Sequence, residues 1–290
     1  MTTSGLHDAP AAGLRAQTTC GKTLILQRRL HGGRSHILHL AHDADTGEQL
    51  VVKTGGDPAK LRHEARALTA LANRPGLPCS RLISVTCLRT EEAPRAQTAL
   101  LIAFAPGHHP RTADDFHALG RTLATWHTAP TTRRFETLYQ PPARLLRLDR
   151  SFAAHHAPDL TGLLDTLLPP TRHVWTRTCL VHGDPSPPNT LVDPGGIAVL
   201  IDCENAALAH PGLDLGRAHF HAYWHSPTSA DALLAGYTDL QPIPDQLPAW
   251  TAAAGIHIAA WRHSHRRRQG VLPWPPALEQ ARHWASTSTI

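Results

Sequence analysis

Between Lys22 and Lys53 apolar and polar residues alternate in short runs set around turns, a period that fits strands with one buried face. Thr23–Leu30 and His36–His42 are predicted strands, separated by Gly32-Gly33, and Gln49–Lys53 is a third after the turn Asp43–Gly47. The period then changes. Pro58 opens a predicted helix that runs to Asn73, with Leu61, Leu68 and Leu71 on one face. Two more strands are predicted at Arg81–Leu88 and Gln97–Phe104, so this part reads as an antiparallel sheet with one inserted helix.

After Pro106-Gly107 the texture becomes helical. Thr112–Thr128 places Phe116, Leu119, Leu123 and Trp126 at helical spacing, and helical segments continue to Leu168, interrupted by Pro141-Pro142 and Pro158. Two short strands, Thr190–Val192 and Ile197–Ile201, flank the turn Asp193–Gly196, and the remainder is helical with proline punctuation. The expected layout is α+β: an N-terminal tail (1–20), a small antiparallel-sheet lobe with one helix (21–106), and a larger, mainly helical lobe (107–290). A cleft between two such lobes is a natural place for a ligand.

Composition narrows the picture. The chain has 290 residues, 41% of them hydrophobic, enough to bury a core without disulfide or metal staples and too apolar for a disordered chain. The longest apolar runs, such as Ala99–Ala105, are far too short to span a bilayer, and Met1–Gln17 lacks the pattern of a signal peptide. Five cysteines with no C-x-x-C pair point to a reduced, cytoplasmic protein. The net charge of +5 is carried by arginine, with lysine only at 22, 53 and 60. The one dense basic run is Arg266-Arg267-Arg268, whereas nucleic-acid binding asks for a basic stripe or a known module. Neither a nucleic-acid nor a membrane partner is expected, and oligomeric state is not legible. The 22 histidines include no H-E-x-x-H and no Cys/His quartet at zinc spacing.

The strongest segment is Leu180-Val181-His182-Gly183-Asp184-Pro185-Ser186-Pro187-Pro188-Asn189, followed by Val199-Leu200-Ile201-Asp202-Cys203-Glu204. H-G-D-x-x-x-x-N followed by I-D-x-E resembles the aminoglycoside phosphotransferase family, whose protein-kinase-like bilobal fold also holds choline kinases. The resemblance runs over residues 24–225. It implies a phosphotransferase that moves the γ-phosphate of ATP or GTP, with Mg²⁺, to a hydroxyl of a small molecule such as an antibiotic or other secondary metabolite.

Phosphoryl transfer needs a carboxylate near the attacking hydroxyl and hard oxygen ligands for magnesium. Asp184 is the expected catalytic carboxylate, and Asn189 and Asp202 are the expected metal ligands. Lys53, at the end of Leu50-Val51-Val52-Lys53, resembles the strand lysine that meets nucleotide phosphates, and Glu64 the helix glutamate that orients it. Gly32, Gly33 and Ser35 fall where the family's glycine-rich turn covers phosphates. Ala103 and Ala105 fall in a hinge whose backbone meets an adenine edge. His182 and Asp214 are expected to brace the catalytic loop. Two alternatives stay open: a kinase of the same fold acting on Ser or Thr of a peptide, and a pseudokinase that binds nucleotide or a partner without turnover. Acidic and basic residues are close to balance from Asp149 onward, which gives no support for a strongly cationic acceptor.

Overall fold

The structure is a computed structural model, and it describes residues 13–30, 36–72, 74, 76–90, 95–131, 138, 147–167, 178–267 and 271–288. The chain divides into two compact units. One is Met1–Pro106 together with Ile201–Asn205; the other is Gly107–Leu200 together with Ala206–Ile290. A single cut after residue 106 therefore misses an excursion of the chain. Residues 201–205 belong with the first unit because their acids pair there: Asp202 with Lys53 at 2.7 Å and Glu204 with Lys60 at 2.9 Å.

In the first unit, β1 (Leu14–Thr18), β2 (Thr23–Leu30), β3 (Ile37–Asp43), β4 (Gln49–Thr54), β5 (Leu82–Thr90) and β6 (Gln97–Ala103) form a closed antiparallel barrel in the order β1-β2-β3-β4-β6-β5. The tail expected over residues 1–20 is thus partly strand. β1 turns Ala16 and Thr18 inward and pairs with both β2 and β5. Five residues with two small inward positions carry too little hydrophobic period to stand out in the sequence. Leu24, Leu26, Ala41, Leu50, Val52 and Leu101 fill the interior. Helix α1 (Pro58–Leu71) starts where the Asp57 carboxylate accepts from Ala59 N at 2.8 Å, with proline in the first turn, a favoured start because proline lacks an N–H to leave unpaired. Leu61, Leu68 and Leu71 face inward, and Glu64 lies on the same buried face.

The second unit is helical: α2 (Ala113–Thr128), α3 (Arg147–His156), α4 (Thr161–Thr166), α5 (Gly212–His225), α6 (Pro227–Thr238), α7 (Leu247–Ser264) and α8 (Pro275–Thr287). Two small antiparallel pairs accompany them, β7 (Cys179–Val181) with β10 (Ala207–Ala209), and β8 (Thr190–Val192) with β9 (Ala198–Leu200). Thr112 and Asp115 form a reciprocal capping box at the start of α2, which satisfies two otherwise orphaned N–H groups. The expected apolar face, Phe116, Leu119, Leu123 and Trp126, is completely buried. A second core gathers Phe152, Leu160, Leu164, Phe220, Trp250, Ile256 and Leu278. Of these two strand pairs the sequence predicts only β8 with β9; β7 and β10 are not among the predicted strands. Among the described residues no helix is long and apolar enough to cross a membrane.

Helices α2 and α6 approach backbone to backbone. A Cβ at Gly120 would meet the carbonyl oxygen of Leu233 and lie 2.8 Å from Tyr237 N; one at Gly236 would meet the carbonyl oxygen of His117. Only glycine allows that separation. Overpacking of this kind costs about 3 kcal/mol, so Gly120→Ala should lower the urea midpoint by that free energy divided by the slope, with the slope unchanged. A wild-type midpoint would show that the helices part freely.

Candidate active site

The first unit buries one lysine among acids. Lys53, on β4, is 3% exposed, and its Nζ lies 2.6 Å from Glu64 Oε2 and 2.7 Å from Asp202 Oδ1. Glu64 is delivered by the helical period of α1, four residues before Leu68 and three after Leu61. Asp202 adopts a left-handed backbone, with φ 62°, a conformation aspartate tolerates better than most residues and one that clusters at functional sites. Its side chain remains 38% exposed although one oxygen is held by Lys53. Burial works against the Lys53 ammonium, and the carboxylates of Glu64 and Asp202 overcome it, so the lysine sits above its ordinary value. Burial pushes the Glu64 carboxyl up to about 7, with Lys53 pulling the other way. Nearby, Glu204 meets Lys60 at 2.9 Å and His36 Nδ1 at 3.4 Å. Burial raises the Cys203 thiol well above its ordinary value, so it behaves as a small buried side chain.

The second unit holds a loop fixed from below. Asp214, wholly buried on α5, accepts from the backbone N–H of His182 at 2.6 Å and of Gly183 at 2.8 Å. Gly183 has φ 84°, which a side chain would strain. His127 Nε2 lies 3.5 Å from the same carboxylate, and its Nδ1 meets the Tyr237 hydroxyl at 2.8 Å. Burial alone would raise the Asp214 carboxyl; the hydrogen bonds and imidazoles of His127 and His182 more than offset it and hold it below the ordinary value. His182 is buried, its Nδ1 accepts from Asp184 N at 3.3 Å, and its ring meets Trp126 edge-on at 5.6 Å.

Asp184 stands at the top of this loop with its side chain 34% exposed. Asn189 Nδ2 donates to Asp184 Oδ2 at 2.9 Å and to its carbonyl at 3.1 Å. The turn Pro187–Asn189 brings the amide back, and Asn189 N donates to Ser186 O at 2.9 Å. Arg217 Nη1 donates to the Gly183 carbonyl and lies 3.8 Å from Asp184 Oδ1.

The described site residues thus form two charged groups, a lysine among carboxylates in one unit and an anchored carboxylate in the other. The model of the phosphotransferase enzyme family, APH, matches residues 26–256. The chain belongs to this family. Among solved structures this phosphotransferase is similar in fold to a macrolide 2′-phosphotransferase from Brachybacterium faecium, at 19% identity over 89% of this chain and 94% of that one, with a TM-score of 0.60. It is similar to the choline kinase LicA of Streptococcus pneumoniae, at 18% identity over 88% and 92%, TM-score 0.61. It is also similar to APH(2″)-IIia, solved as its GDP and kanamycin complex, at 14% identity over 90% and 93%, TM-score 0.62. The fold is accordingly the protein-kinase-like α+β fold. No curated protein sequence matches the chain.

The site residues expected for this phosphotransferase fall into four groups. Lys53, Glu64 and Asp202 meet in the first unit, and His182, Asp184, Asn189 and Asp214 meet in the second. Gly32, Gly33 and Ser35 lie outside the described residues. Ala103 ends β6 and its N–H is taken by the Arg81 carbonyl at 2.9 Å; Ala105 follows in irregular chain. Sequence reasoning missed Arg217 and His127. Arg217 could have been found, since it lies three residues after Asp214 and so on the same face of α5; His127 carries no comparable signal.

Asp214→Asn should cost about 3 kcal/mol of stability, because two buried N–H donors lose a charged acceptor. The depressed Asp214 value gives the sign with pH. Its contribution is in place above the unfolded carboxyl value of about 4 and is lost as pH falls through the lower folded value. The gap between wild type and Asp214→Asn should therefore close in acid melts; a gap that stays constant below that pH would refute the assignment.

Proposed function

We propose that this protein transfers the γ-phosphate of ATP or GTP to a hydroxyl of a small molecule, an antibiotic or related secondary metabolite, with Mg²⁺ as cofactor. The observation that carries the reading is the state of Asp184: one oxygen tied by Asn189, the side chain open to solvent, and the loop beneath it clamped by Asp214. A carboxylate so held orients an acceptor hydroxyl and takes its proton late, because the loose transition state of phosphoryl transfer needs little early deprotonation. Lys53 supplies positive charge to the nucleotide phosphates, and Glu64 keeps its ammonium aimed. Any contact from Ala103 to a base goes through its carbonyl, since its N–H is spent on Arg81.

The residues fit magnesium. Mg²⁺ takes one or two protein oxygens and completes its shell with water and substrate phosphates. Asp202 brings a carboxylate whose side chain is 38% exposed, and Asn189, whose Nδ2 donates to Asp184, brings an amide oxygen. Each would serve as a ligand to the ion, which when bound neutralises the charge on the phosphates. GDP in the APH(2″)-IIia complex supports a nucleotide co-substrate.

Four variants test this. Asp184→Asn keeps shape and removes charge, so kcat should fall about 10²–10⁴-fold while nucleotide affinity changes little; a loss under tenfold would reject Asp184 as the base. Asp202→Ala should abolish Mg²⁺-dependent turnover, and Asn189→Ala should be milder because water replaces a neutral ligand. Lys53→Met should raise the nucleotide KM. Near-normal activity of Asp202→Ala at ordinary Mg²⁺ would overturn the metal assignment.

A further inference from the structure

Residues 201–205 group with the first unit, and three contacts hold them there. Asp202 Oδ1 lies 2.7 Å from Lys53 Nζ. Cys203 is wholly buried, in a turn (Cys203–Asn205) that packs on α1. Glu204 Oε1 accepts from Lys60 Nζ at 2.9 Å, and its Oε2 lies 3.4 Å from His36 Nδ1. The attachment is under load. Asp202 has φ 62°, and a left-handed backbone at a residue other than glycine persists only where its surroundings enforce it.

The three contacts are not equivalent. The phosphotransferase reading claims both members of the Lys53–Asp202 pair, Lys53 for nucleotide phosphates and Asp202 for Mg²⁺. Each new partner competes for the charge that ties the two together, so this contact weakens as the site fills. Glu204 and Lys60 have no such task. Lys60 sits on α1 four residues before Glu64, one turn away on the same side of the helix. Helix α1 therefore grips the segment through Lys60 and steadies Lys53 through Glu64.

Ion pairs in open water are worth little, but this one has a buried end. The Glu204 side chain is 9% exposed and that of Lys60 45%, so Lys60 reaches from the surface to a carboxylate that water barely touches. A carboxylate so placed needs a charge partner. His36 is buried beside its other oxygen. Burial, with Lys53, holds the His36 imidazole below its ordinary value, so this ring is neutral near pH 7. Among the described residues Glu204 Oε2 has no hydrogen bond, which leaves the Lys60 ammonium to fix the carboxylate.

We propose that Glu204 and Lys60 are positioning residues for the transfer: their pair tethers residues 201–205 to α1 and keeps Asp202 in its left-handed setting while Lys53 is drawn to the nucleotide. The proposal rests on the phosphotransferase reading above. The tether acts on the metal-dependent part of nucleotide binding, because Asp202 is the ligand it holds. Metal-free nucleotide depends on Lys53, which the tether does not touch.

The test uses the full chain and reads ADP affinity by titration calorimetry, with Mg²⁺ and with EDTA, beside amide exchange of residues 201–205 by mass spectrometry. In wild type Mg²⁺ should tighten ADP. Glu204→Gln and Lys60→Met should each weaken ADP about fivefold in Mg²⁺, the scale of one ion pair with an exposed end, and leave the Kd in EDTA unchanged. Lys60→Arg should restore the wild-type value. The double variant should lose no more than Glu204→Gln alone, since the two residues act as one contact. In the Asp202→Ala background Lys60→Met should change nothing. Without nucleotide, exchange across residues 201–205 should run about fivefold faster in Lys60→Met than in wild type. Lys60 is exposed, so its replacement remains a test should Glu204→Gln fail to fold. Wild-type affinity of both variants in Mg²⁺, equal losses with and without Mg²⁺, or Lys60→Arg as weak as Lys60→Met would overturn the proposal. Wild type that binds no ADP, or binds it equally in Mg²⁺ and EDTA, would instead sink the phosphotransferase reading with its metal. Exchange would then decide the tether by itself, and equal rates in Lys60→Met and wild type would overturn it.

Discussion

An ammonium group removed from water must be surrounded by negative charge, or the chain does not tolerate it. Lys53 meets that condition with two carboxylates within 2.7 Å, and the solution ties three distant stretches of sequence together: β4, α1 and residues 201–205. Of the two acids, Glu64 is buried and Asp202 keeps its side chain 38% exposed, so the carboxylate that meets water beside the lysine is that of Asp202. The grouping of residues 201–205 with the first unit and the left-handed backbone of Asp202 are consequences of this demand.

The second unit answers a different constraint with a similar device. Its loop must hold an exposed carboxylate steady without a strand or helix to carry it. Asp214 does this by taking the two backbone N–H groups that precede Asp184, while Arg217, one turn along the same helix, takes the Gly183 carbonyl that follows them. Backbone donors and acceptors on both sides of the Gly183 peptide are thus fixed from a single helix face. The exposed end of the loop then needs only the Asn189 amide to set the orientation of Asp184.

Much of this was legible in the sequence because it rests on local period and fixed spacing. The strands of the small unit, α1 and α2 show clear alternation or helical repeats, and the observed ends of β2 and β8 coincide with the predicted ones. Lys53 stood out because lysine is scarce, and Asp184, Asn189 and Asp202 because their spacing is that of a known motif. What was not legible depends on tertiary partners. β1 is held by two neighbours more than by its own five residues, and β7 with β10 are too short to show a period. His127 acts through a carboxylate 87 positions away.

Closure of the first unit by β1 also bears on how the protein behaves in a crowded solution. A sheet that ends in an unpaired strand offers a row of open N–H and C=O groups to other chains. Here β1 occupies the outer side of β2 and of β5 at once, so neither presents a free ladder. Residues 14–18 therefore act as a seal against strand exchange and edge-to-edge aggregation, and a chain cut after residue 18 would expose two adhesive borders while keeping every residue of the proposed catalytic machinery.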